Sequence, residues 1–355
     1  MRLRGGTRDG ALGSTHRKST AELTRQSPAL WQARDKAGGR ASRVSVRVLP
    51  QREQSLDQID LSVIIVNLNT GSLTRACVES LLASEDWKLE GSTLRHRATT
   101  LSAEVVVVDN GSSDDTIEIF KHEFPWVTLE LNGTNVGYAR ANNQGISLAR
   151  GRYVMLLNPD TLVTEGALTS AVRFLDEHQE AGVVGCQLLN PDHSLQPSGR
   201  DYPQLRSIWR DLLPIPSALR QAMLSSTERR DYSRTCQVDE VSGAAMLLRR
   251  KALDQVGGLD EDFFFLGEDI DICWTLKKQG WSIYYLPSAQ VVHEGGAARR
   301  KSSGKRISLL AQRAFYLLFR KHRTRRQARV LKVVLLAVTL LKLTRSLGTD
   351  LARAD

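Results

Sequence analysis

Short runs of β-branched and apolar residues recur along the middle of the chain, separated by polar turns. They include Leu61–Asn67, Glu104–Asp109, Val127–Leu131 and Arg152–Leu157. Because these runs are apolar on both faces, they predict buried, mainly parallel strands rather than helices. The stretch Ser72–Ala83 has helical spacing and predicts a helix after the first strand. The pattern therefore indicates an α/β domain with a mostly parallel central sheet flanked by helices.

Hydrogen-bonding side chains stand where the predicted strands end. Asn67 and Asn69 follow the first strand, Asp109 ends the second, and Asn158 and Asp160 follow a later one. In an open α/β sheet, ligands bind beyond the carboxyl ends of the strands. We therefore expect these side chains to converge on one crevice.

Two segments further along the chain add acidic and metal-binding residue types. Glu268 and Asp269 begin a predicted helix, and His293 ends an apolar, strand-like run. Acidic residues in a first helical turn are also explained by the helix dipole, at about 0.3–1 kcal/mol each. The aromatic segment Phe263–Leu266 favours a chemical role, because a carboxylate desolvated beside it gains basicity.

Several motifs occur in the order and spacing of a known enzyme family. They are VIIVNLN, VVVVDNGSSDDT, NGTNVGYARANNQGI, YVMLLNPDTLV, VSGAAMLLRR, FFFLGEDIDICWTLKKQGW and VVHEGG. With them, roughly residues 61–319 resemble glycosyltransferase family 2, above all its rhamnosyltransferase-like branch, in which Asn-Pro-Asp replaces the Asp-x-Asp of many relatives. The resemblance implies a GT-A type fold and an inverting, metal-dependent transfer of a sugar from a nucleoside diphosphate.

The same resemblance implies roles for the acidic residues and the histidine. Asp160 and His293 are expected to hold a divalent cation, Mg²⁺ or Mn²⁺, with oxygens of the diphosphate. Asp269 is the expected base that takes the acceptor proton, and Glu268 is expected to orient the acceptor. An isolated histidine after an apolar run is more often a hydrogen-bonded core residue, and this alternative stays open for His293.

One set of expected donor contacts lies at the first two strands. By resemblance, Asp109 hydrogen-bonds the nucleoside, and the main chain around Val66 and Leu68 flanks the base. The alternative for Asp109 is an Asx-turn residue that satisfies its own loop.

A second set of expected donor contacts surrounds the helix after the third strand. Backbone amides at a helix start, with Asn135, Arg140 and Asn143, suit an anionic, polar ligand. Asn158 and Gly243 complete the expected donor site, Gly243 as part of a small-residue wall that leaves room for the sugar. Alternatively, Asn135 caps the helix, Arg140 is solvated and the small residues serve strand packing.

Charge is unevenly distributed along the 355 residues, whose formal net charge is +10. Residues 1–60 carry 12 basic and 6 acidic side chains, and residues 295–349 carry 15 basic and no acidic ones. Residues 61–294 consequently have a net charge of −10. The acidic centre suits metal binding, and the basic flanks indicate an anionic partner.

Three segments follow from composition and pattern. Residues 1–58 are predicted to form a disordered basic tail. Residues 59–304 are predicted to form the GT-A domain, with a crevice that is complete by residue 296. Residues 305–355 are predicted to form basic amphipathic helices. In the last segment, Val330–Leu343 has only 14 residues interrupted by lysines, too few to span a bilayer of about 30 Å. We expect helices lying on an anionic membrane surface at the cytoplasmic, inner face of the plasma membrane. The alternative is a terminal helix packed on the enzyme's own domain.

These features predict an inverting glycosyltransferase of cell-surface polysaccharide synthesis. The expected donor is dTDP-rhamnose, or else a UDP-sugar, and the expected acceptor is a saccharide or lipid-linked saccharide. A non-catalytic nucleotide-sugar-binding scaffold is an alternative, because Asn-Pro-Asp is a reduced form of the acidic metal motif. RNA binding is disfavoured and no nucleic acid partner is expected, because the central domain is acidic.

Overall fold

A mixed β-sheet forms the centre of the computed structural model, which describes residues 46–48, 58–205, 227, 230–295 and 304–351. In chain order the strands are β1 (Val46–Val48), β2 (Leu61–Asn67), β3 (Trp87–Glu90), β4 (Thr93–His96), β5 (Ser102–Asp109), β6 (Thr128–Leu131), β7 (Tyr153–Leu157), β8 (Thr161–Val163), β9 (Ala181–Leu189), β10 (Leu195–Gln196), β11 (Gly199–Arg200), β12 (Cys236–Gln237), β13 (Glu240–Val241), β14 (Ala245–Arg249) and β15 (Ser282–His293). Strands β11 and β13 pair with each other beside this sheet.

The sheet has the strand order β1-β6-β5-β2-β7-β14-β9-β15-β12. Strands β6, β5, β2 and β7 run parallel, as do β9 and β15, whereas β14 runs antiparallel between the two groups. The predicted α/β domain with a largely parallel, buried centre is confirmed, and Leu61–Asn67 is buried along its whole length. Because β2 and β5 pair in register from Leu61 to Asn67, their carboxyl ends lie at the same edge.

Helices cover both faces of the sheet. They are α1 (Gly71–Ala83), α2 (Thr116–Glu123), α3 (Tyr138–Leu148), α4 (Ala167–Glu177), α5 (Arg250–Val256), α6 (Glu268–Lys278), α7 (Gly304–His322) and α8 (Arg325–Leu351). Alternate residues of β2 enter opposite cores: Val63 and Ile65 pack with α1, α2 and α4, and Ile64 packs with α3, α5 and α6. Helix α3 approaches β2 closely, since a β-carbon on Gly145 would lie 2.5 Å from Ile64 Cγ2.

Two short elements extend the sheet beyond the predicted strands. The β3–β4 hairpin adds to β5 through Leu94 and Ala103. Strand β1 pairs antiparallel with β6 inside the segment predicted as a disordered tail, so that prediction is wrong for residues 46–48. The rest of the predicted tail lies outside the described residues.

Helix α7 packs on the domain, and helix α8 packs on α7. Ala314 and Leu318 of α7 form a buried cluster with Phe263, and Leu331 of α8 packs against Phe319 of α7. The predicted helical C-terminal segment is therefore present, and α7 follows the alternative of packing on its own domain. Within the described residues, none of the helices combines the length and the apolar character needed to cross a bilayer.

Candidate active site

A cavity of about 740 Å³ opens beyond the carboxyl ends of β2 and β7. Most of the predicted site residues line it: Val66, Leu68, Asn135, Asn158, Asp160, Gly243, Glu268, Asp269 and His293. A cavity of this size is typical of small-ligand sites. Of the five strand-end side chains predicted to converge on one crevice, Asn69, Asn158 and Asp160 line this cavity.

Strand pairing brings the two expected metal ligands together. His293, at the end of β15, lies opposite Thr161 of β8, and the amide of Glu294 donates to the carbonyl of Asp160 at 3.0 Å. As a result, His293 Nε2 is 3.4 Å from Asp160 Oδ1, although 133 residues separate the two in the chain. Both side chains are largely buried.

Hydrogen bonds on the far side of the imidazole select its tautomer. Gln196 donates through Nε2 to Asn190 Oδ1 at 3.0 Å, so its Oε1 is the acceptor for His293 Nδ1 at 2.7 Å. A proton on Nδ1 leaves Nε2 with a lone pair toward Asp160, which is the form that coordinates metals. Gln196 is a site residue that the motifs do not indicate.

The Asp160–His293 pair fits a divalent cation that a substrate helps to bind. A carboxylate oxygen and a neutral imidazole nitrogen both ligate Mn²⁺, and the carboxylate suits Mg²⁺. The described residues contain no group of three or more His, Cys, Asp or Glu side chains that could hold a metal.

Asp269, at the start of α6, accepts hydrogen bonds from two main-chain amides. Its Oδ2 accepts from the amide of Gly243 at 3.1 Å, and its Oδ1 accepts from the amide of Ile270 at 2.9 Å. A β-carbon on residue 243 would lie 3.1 Å from Asp269 Cβ, so glycine permits this close approach. Gly243 thus orients the predicted base in addition to lining the cavity.

Glu268 stands in a different electrostatic state. Its side chain is buried, and none of the residues that the structure describes forms a hydrogen bond with its Oε2. Burial first, and the charge of Asp269 second, raise the pKa of the Glu268 carboxyl to about 8. Glu268 therefore keeps its proton at neutral pH and can donate a hydrogen bond to a ligand.

Tyr138 and Arg200 are cavity residues that the sequence motifs did not single out. The Tyr138 hydroxyl donates to Asn158 Oδ1 at 2.8 Å, and burial raises its pKa. Arg200 Nε lies 3.2 Å from Glu240 Oε1. Burial raises the pKa of the Glu240 carboxyl to about 8 despite this pair.

Asp109 lies behind the cavity rather than on its wall. It is 1% exposed, and its carboxylate accepts from Asn67 Nδ2 at 3.0 Å and from the amide of Ser112 at 3.0 Å. The second bond, to the amide three residues further on, satisfies the loop that follows Asp109, as the alternative for this residue expected. The expected orientation of Asn67 and Asp109 toward the crevice is wrong, because their polar atoms are used inside the fold.

The candidates around α3 divide in a similar way. Asn135 lines the cavity, but its Oδ1 accepts from the amide of Gly137 at 2.9 Å and so shapes the turn before the helix. The Asn143 side chain donates to the carbonyl of Leu259 at 2.8 Å and accepts from the amide of Leu259 at 2.9 Å. Arg140 Nε lies 3.7 Å from Glu261 Oε2. Neither Arg140 nor Asn143 is part of the cavity wall.

Helix α7 supplies an apolar wall to the cavity. The lining side chains from this helix are Ile307, Leu310, Ala311, Ala314, Phe315 and Leu318. The expectation that the crevice is complete by residue 296 is therefore wrong. An apolar helical face of this kind predicts burial but not the surface that buries it.

The mixed sheet, with the Asp160–His293 and Glu268–Asp269 pairs at its carboxyl edge, has the architecture of GT-A type glycosyltransferases. Residues 62–257 match the model of the Glycosyl transferase family 2, more than half of the 355 residues. The chain belongs to this family, as the motifs predicted.

The chain is similar to several named proteins. The chain is 30% identical over 244 residues to an N-acetylglucosaminyl-diphospho-decaprenol L-rhamnosyltransferase of Mycobacterium tuberculosis, covering 63% of this chain and 77% of the relative. It is 30% identical over 191 residues to a poly-beta-1,6-N-acetyl-D-glucosamine synthase of Staphylococcus epidermidis, covering 52% and 41%. A mannosyltransferase from Pyrobaculum calidifontis, solved with GDP-Man and Mn²⁺, aligns with a TM-score of 0.49 at 18% identity over 84% of this chain and 81% of the other.

Proposed function

We propose that the protein is an inverting, metal-dependent glycosyltransferase that moves L-rhamnose from dTDP-rhamnose to a saccharide or lipid-linked saccharide acceptor. The observation that carries this proposal is that the Asp160–His293 pair and the Glu268–Asp269 pair line one cavity. The choice of rhamnose rests on the mycobacterial relative. A UDP-sugar is the alternative donor.

The chain's own residues suit a single displacement. Asp160 and His293 would hold Mn²⁺ or Mg²⁺, which supplies positive charge against the leaving diphosphate. Asp269 accepts the proton of the acceptor hydroxyl while that oxygen attacks the anomeric carbon from the side opposite the diphosphate, so the configuration inverts. Glu268, protonated at neutral pH, orients the acceptor by donating a hydrogen bond. This displacement requires no covalent enzyme nucleophile.

Helix α8 supports attachment to the cytoplasmic face of the plasma membrane. Its exposed apolar side chains are Val330, Val333 and Leu336, at 43%, 67% and 55% exposure. Exposed basic residues lie beside them: Arg325, Arg326, Arg329 and Lys332. Apolar and basic side chains on one exposed surface are typical of helices that lie in the headgroup region of anionic bilayers.

A donor panel tests the enzymatic proposal. The purified protein is assayed for transfer and for donor hydrolysis with dTDP-rhamnose and UDP-sugars in Mn²⁺, Mg²⁺ or EDTA. We expect metal-dependent turnover that Asp160→Ala abolishes together with metal-dependent donor binding, because a cavity-wall carboxylate contributes little to the core. Asp192→Ala, at an exposed turn, is the control.

Two results would contradict parts of this proposal. Equal donor affinity of wild type and Asp160→Ala in Mn²⁺, measured by calorimetry, removes Asp160 from the metal site. Donor binding without transfer or hydrolysis favours the non-catalytic scaffold.

Vesicle sedimentation tests the membrane contact. Replacement of Arg325, Arg326, Arg329 and Lys332 by Gln should weaken binding to phosphatidylglycerol vesicles, by up to about 1 kcal/mol per charge at low salt. Arg234→Gln, an exposed change in the catalytic domain, should leave it unchanged. Equal pelleting of the quadruple variant and wild type would reject α8 as the contact.

A further inference from the structure

The C-terminal end of α7 is bound to the helix that carries the acidic pair. Asp271, in the first turn of α6, is 2% exposed, yet it receives two partners from α7. Lys321 Nζ donates to Asp271 Oδ2 at 2.8 Å, and His322 Nε2 lies 2.7 Å from Asp271 Oδ1. Lys321 also reaches Asp260 Oδ2 at 2.7 Å. We call the group Asp271, Lys321 and His322 the α6–α7 latch.

The orientation of His322 is fixed from three directions. Lys278 Nζ lies 2.9 Å from His322 Nδ1, and an ammonium can only donate, so Nδ1 accepts and Nε2 donates to Asp271. The imidazole stacks on Trp274 with ring centroids 4.7 Å apart and an interplanar angle of 10°. Trp274 in turn stacks on Tyr202 at 3.9 Å.

Helix α7 touches the first turn of α6 at both ends of that turn. At the start, Gly267 has φ +90°, and a β-carbon there would lie 3.1 Å from Ala314 Cβ. One turn later, Asp271 is held by the latch, and its amide donates to the carbonyl of Gly267 at 2.9 Å. Glu268 and Asp269 lie between these two contacts. Any displacement of the turn would move Asp269 relative to Gly243.

We propose that Lys321 and His322 are positioning residues that, through Asp271, hold Asp269 and Glu268 in their orientation in the cavity. The catalytic part of this inference rests on the proposed function, whereas the mechanical part rests on the contacts alone. Misplacement of a reacting group by about 1 Å can lower a rate by about 10²-fold. We expect the latch to affect turnover more than donor binding. The expected contacts to the nucleotide base, Val66 and Leu68, lie at the end of β2 and not on α6.

Matched variants separate the latch from general packing. His322→Phe keeps an aromatic ring on Trp274 but cannot donate to Asp271, whereas His322→Gln keeps a donor. Lys321→Met removes the second partner, and Arg320→Met changes a neighbouring exposed residue of the same helix. Turnover per donor-binding site, counted by calorimetric stoichiometry, should fall about 10- to 10²-fold in His322→Phe and Lys321→Met. Donor affinity should stay constant, and His322→Gln should keep most of the turnover.

A triple variant distinguishes positioning from stability. Replacing a whole buried ion pair by apolar residues often restores stability, whereas removing one partner leaves a buried charge. Asp271→Leu combined with Lys321→Met and His322→Phe should therefore regain thermal stability while turnover stays low. Recovery of wild-type turnover in the triple variant would overturn the proposal, as would wild-type turnover in both single variants.

Hydrogen exchange tests the latch without any catalytic assay. Amides of residues 268–272 should exchange faster in His322→Phe and Lys321→Met than in wild type, and Arg320→Met should match wild type. Unchanged exchange in both latch variants would overturn the proposal even if the wild type transfers no sugar. Absence of turnover by the wild type, with exchange altered as expected, would reject the proposed function and leave the mechanical role of the latch standing.

Discussion

Two groups of polar side chains at the carboxyl edge of the sheet differ in how their oxygens are used. Asp109 is hydrogen-bonded to Asn67. The side-chain oxygen of Asn67 accepts in turn from the Thr70 and Thr74 hydroxyls, each at 2.6 Å. Glu268, beside Asp269, has an oxygen without a partner and a pKa raised to about 8. The fold satisfies the first group, whereas in the second group Glu268 keeps one oxygen that no described residue bonds.

This difference separates support from chemistry. A buried polar group with all its hydrogen bonds made gives rigidity, and its removal costs folding free energy. Neighbouring carboxyls with a perturbed pKa in a cavity are typical of catalytic sites. We therefore expect changes in the first group to affect stability and changes in the second to affect turnover.

Loss of the predicted base should have the largest effect. Asp269→Asn keeps the shape of the side chain but removes its proton-accepting capacity, so turnover should fall about 10²–10⁴-fold while donor binding survives. Steady-state transfer assays and calorimetry measure the two quantities. Asp262→Asn, exposed in the preceding loop, is the control. Near-normal turnover of Asp269→Asn would move the role of base to another group.

The support group should respond in the opposite manner. Asn67→Ala leaves buried partners of Asn67 unsatisfied, so the free energy of unfolding should fall by about 2–3 kcal/mol. Turnover per folded molecule should stay close to wild type. Urea titration measures stability, with Gln179→Ala at the surface as the control. A turnover loss with unchanged stability would erase the distinction between the two groups.

The pH dependence of stability tests the raised pKa of Glu268. Because the pKa of Glu268 is raised to about 8 from 4.5, folding favours its protonated form. Its stabilising contribution is complete below pH 4.5 and is lost as the pH rises through about 8. Glu268→Gln should therefore remove part of the decline across this window, at most about 1.4 kcal/mol per pH unit. Parallel stability curves for wild type and variant, from urea titrations at several pH values, would contradict the raised pKa.

The sequence predicted the strand ends and nine residues of the cavity wall, because buried apolar runs and short motifs are local signals. Buried strand runs fix β2 and β5, and the Asn-Pro-Asp turn fixes Asp160. The predicted orientation of Asp109 was wrong because a residue at a strand end has the same sequence position whether its carboxylate faces a ligand or its own loop. Only the partners, Asn67 and Ser112, decide between the two.

Residues supplied by distant contacts could not be inferred. Gln196 reaches His293 across 97 residues, and the helical pattern of α7 is compatible with a membrane, a partner or its own domain. The sequence around Gly243 is equally compatible with simple strand packing, although the Gly243 amide orients Asp269. Such roles depend on which elements meet, which no local pattern contains.

The position of α7 in the chain also sets when the site can form during synthesis. The Asp160–His293 and Glu268–Asp269 pairs all precede residue 295, but the apolar wall and two of the three latch residues lie within residues 307–322. Domains begin to fold from the N-terminal side as the chain leaves the ribosome. A nascent chain can therefore build its sheet early, yet it stays without a finished cavity until His322 has emerged.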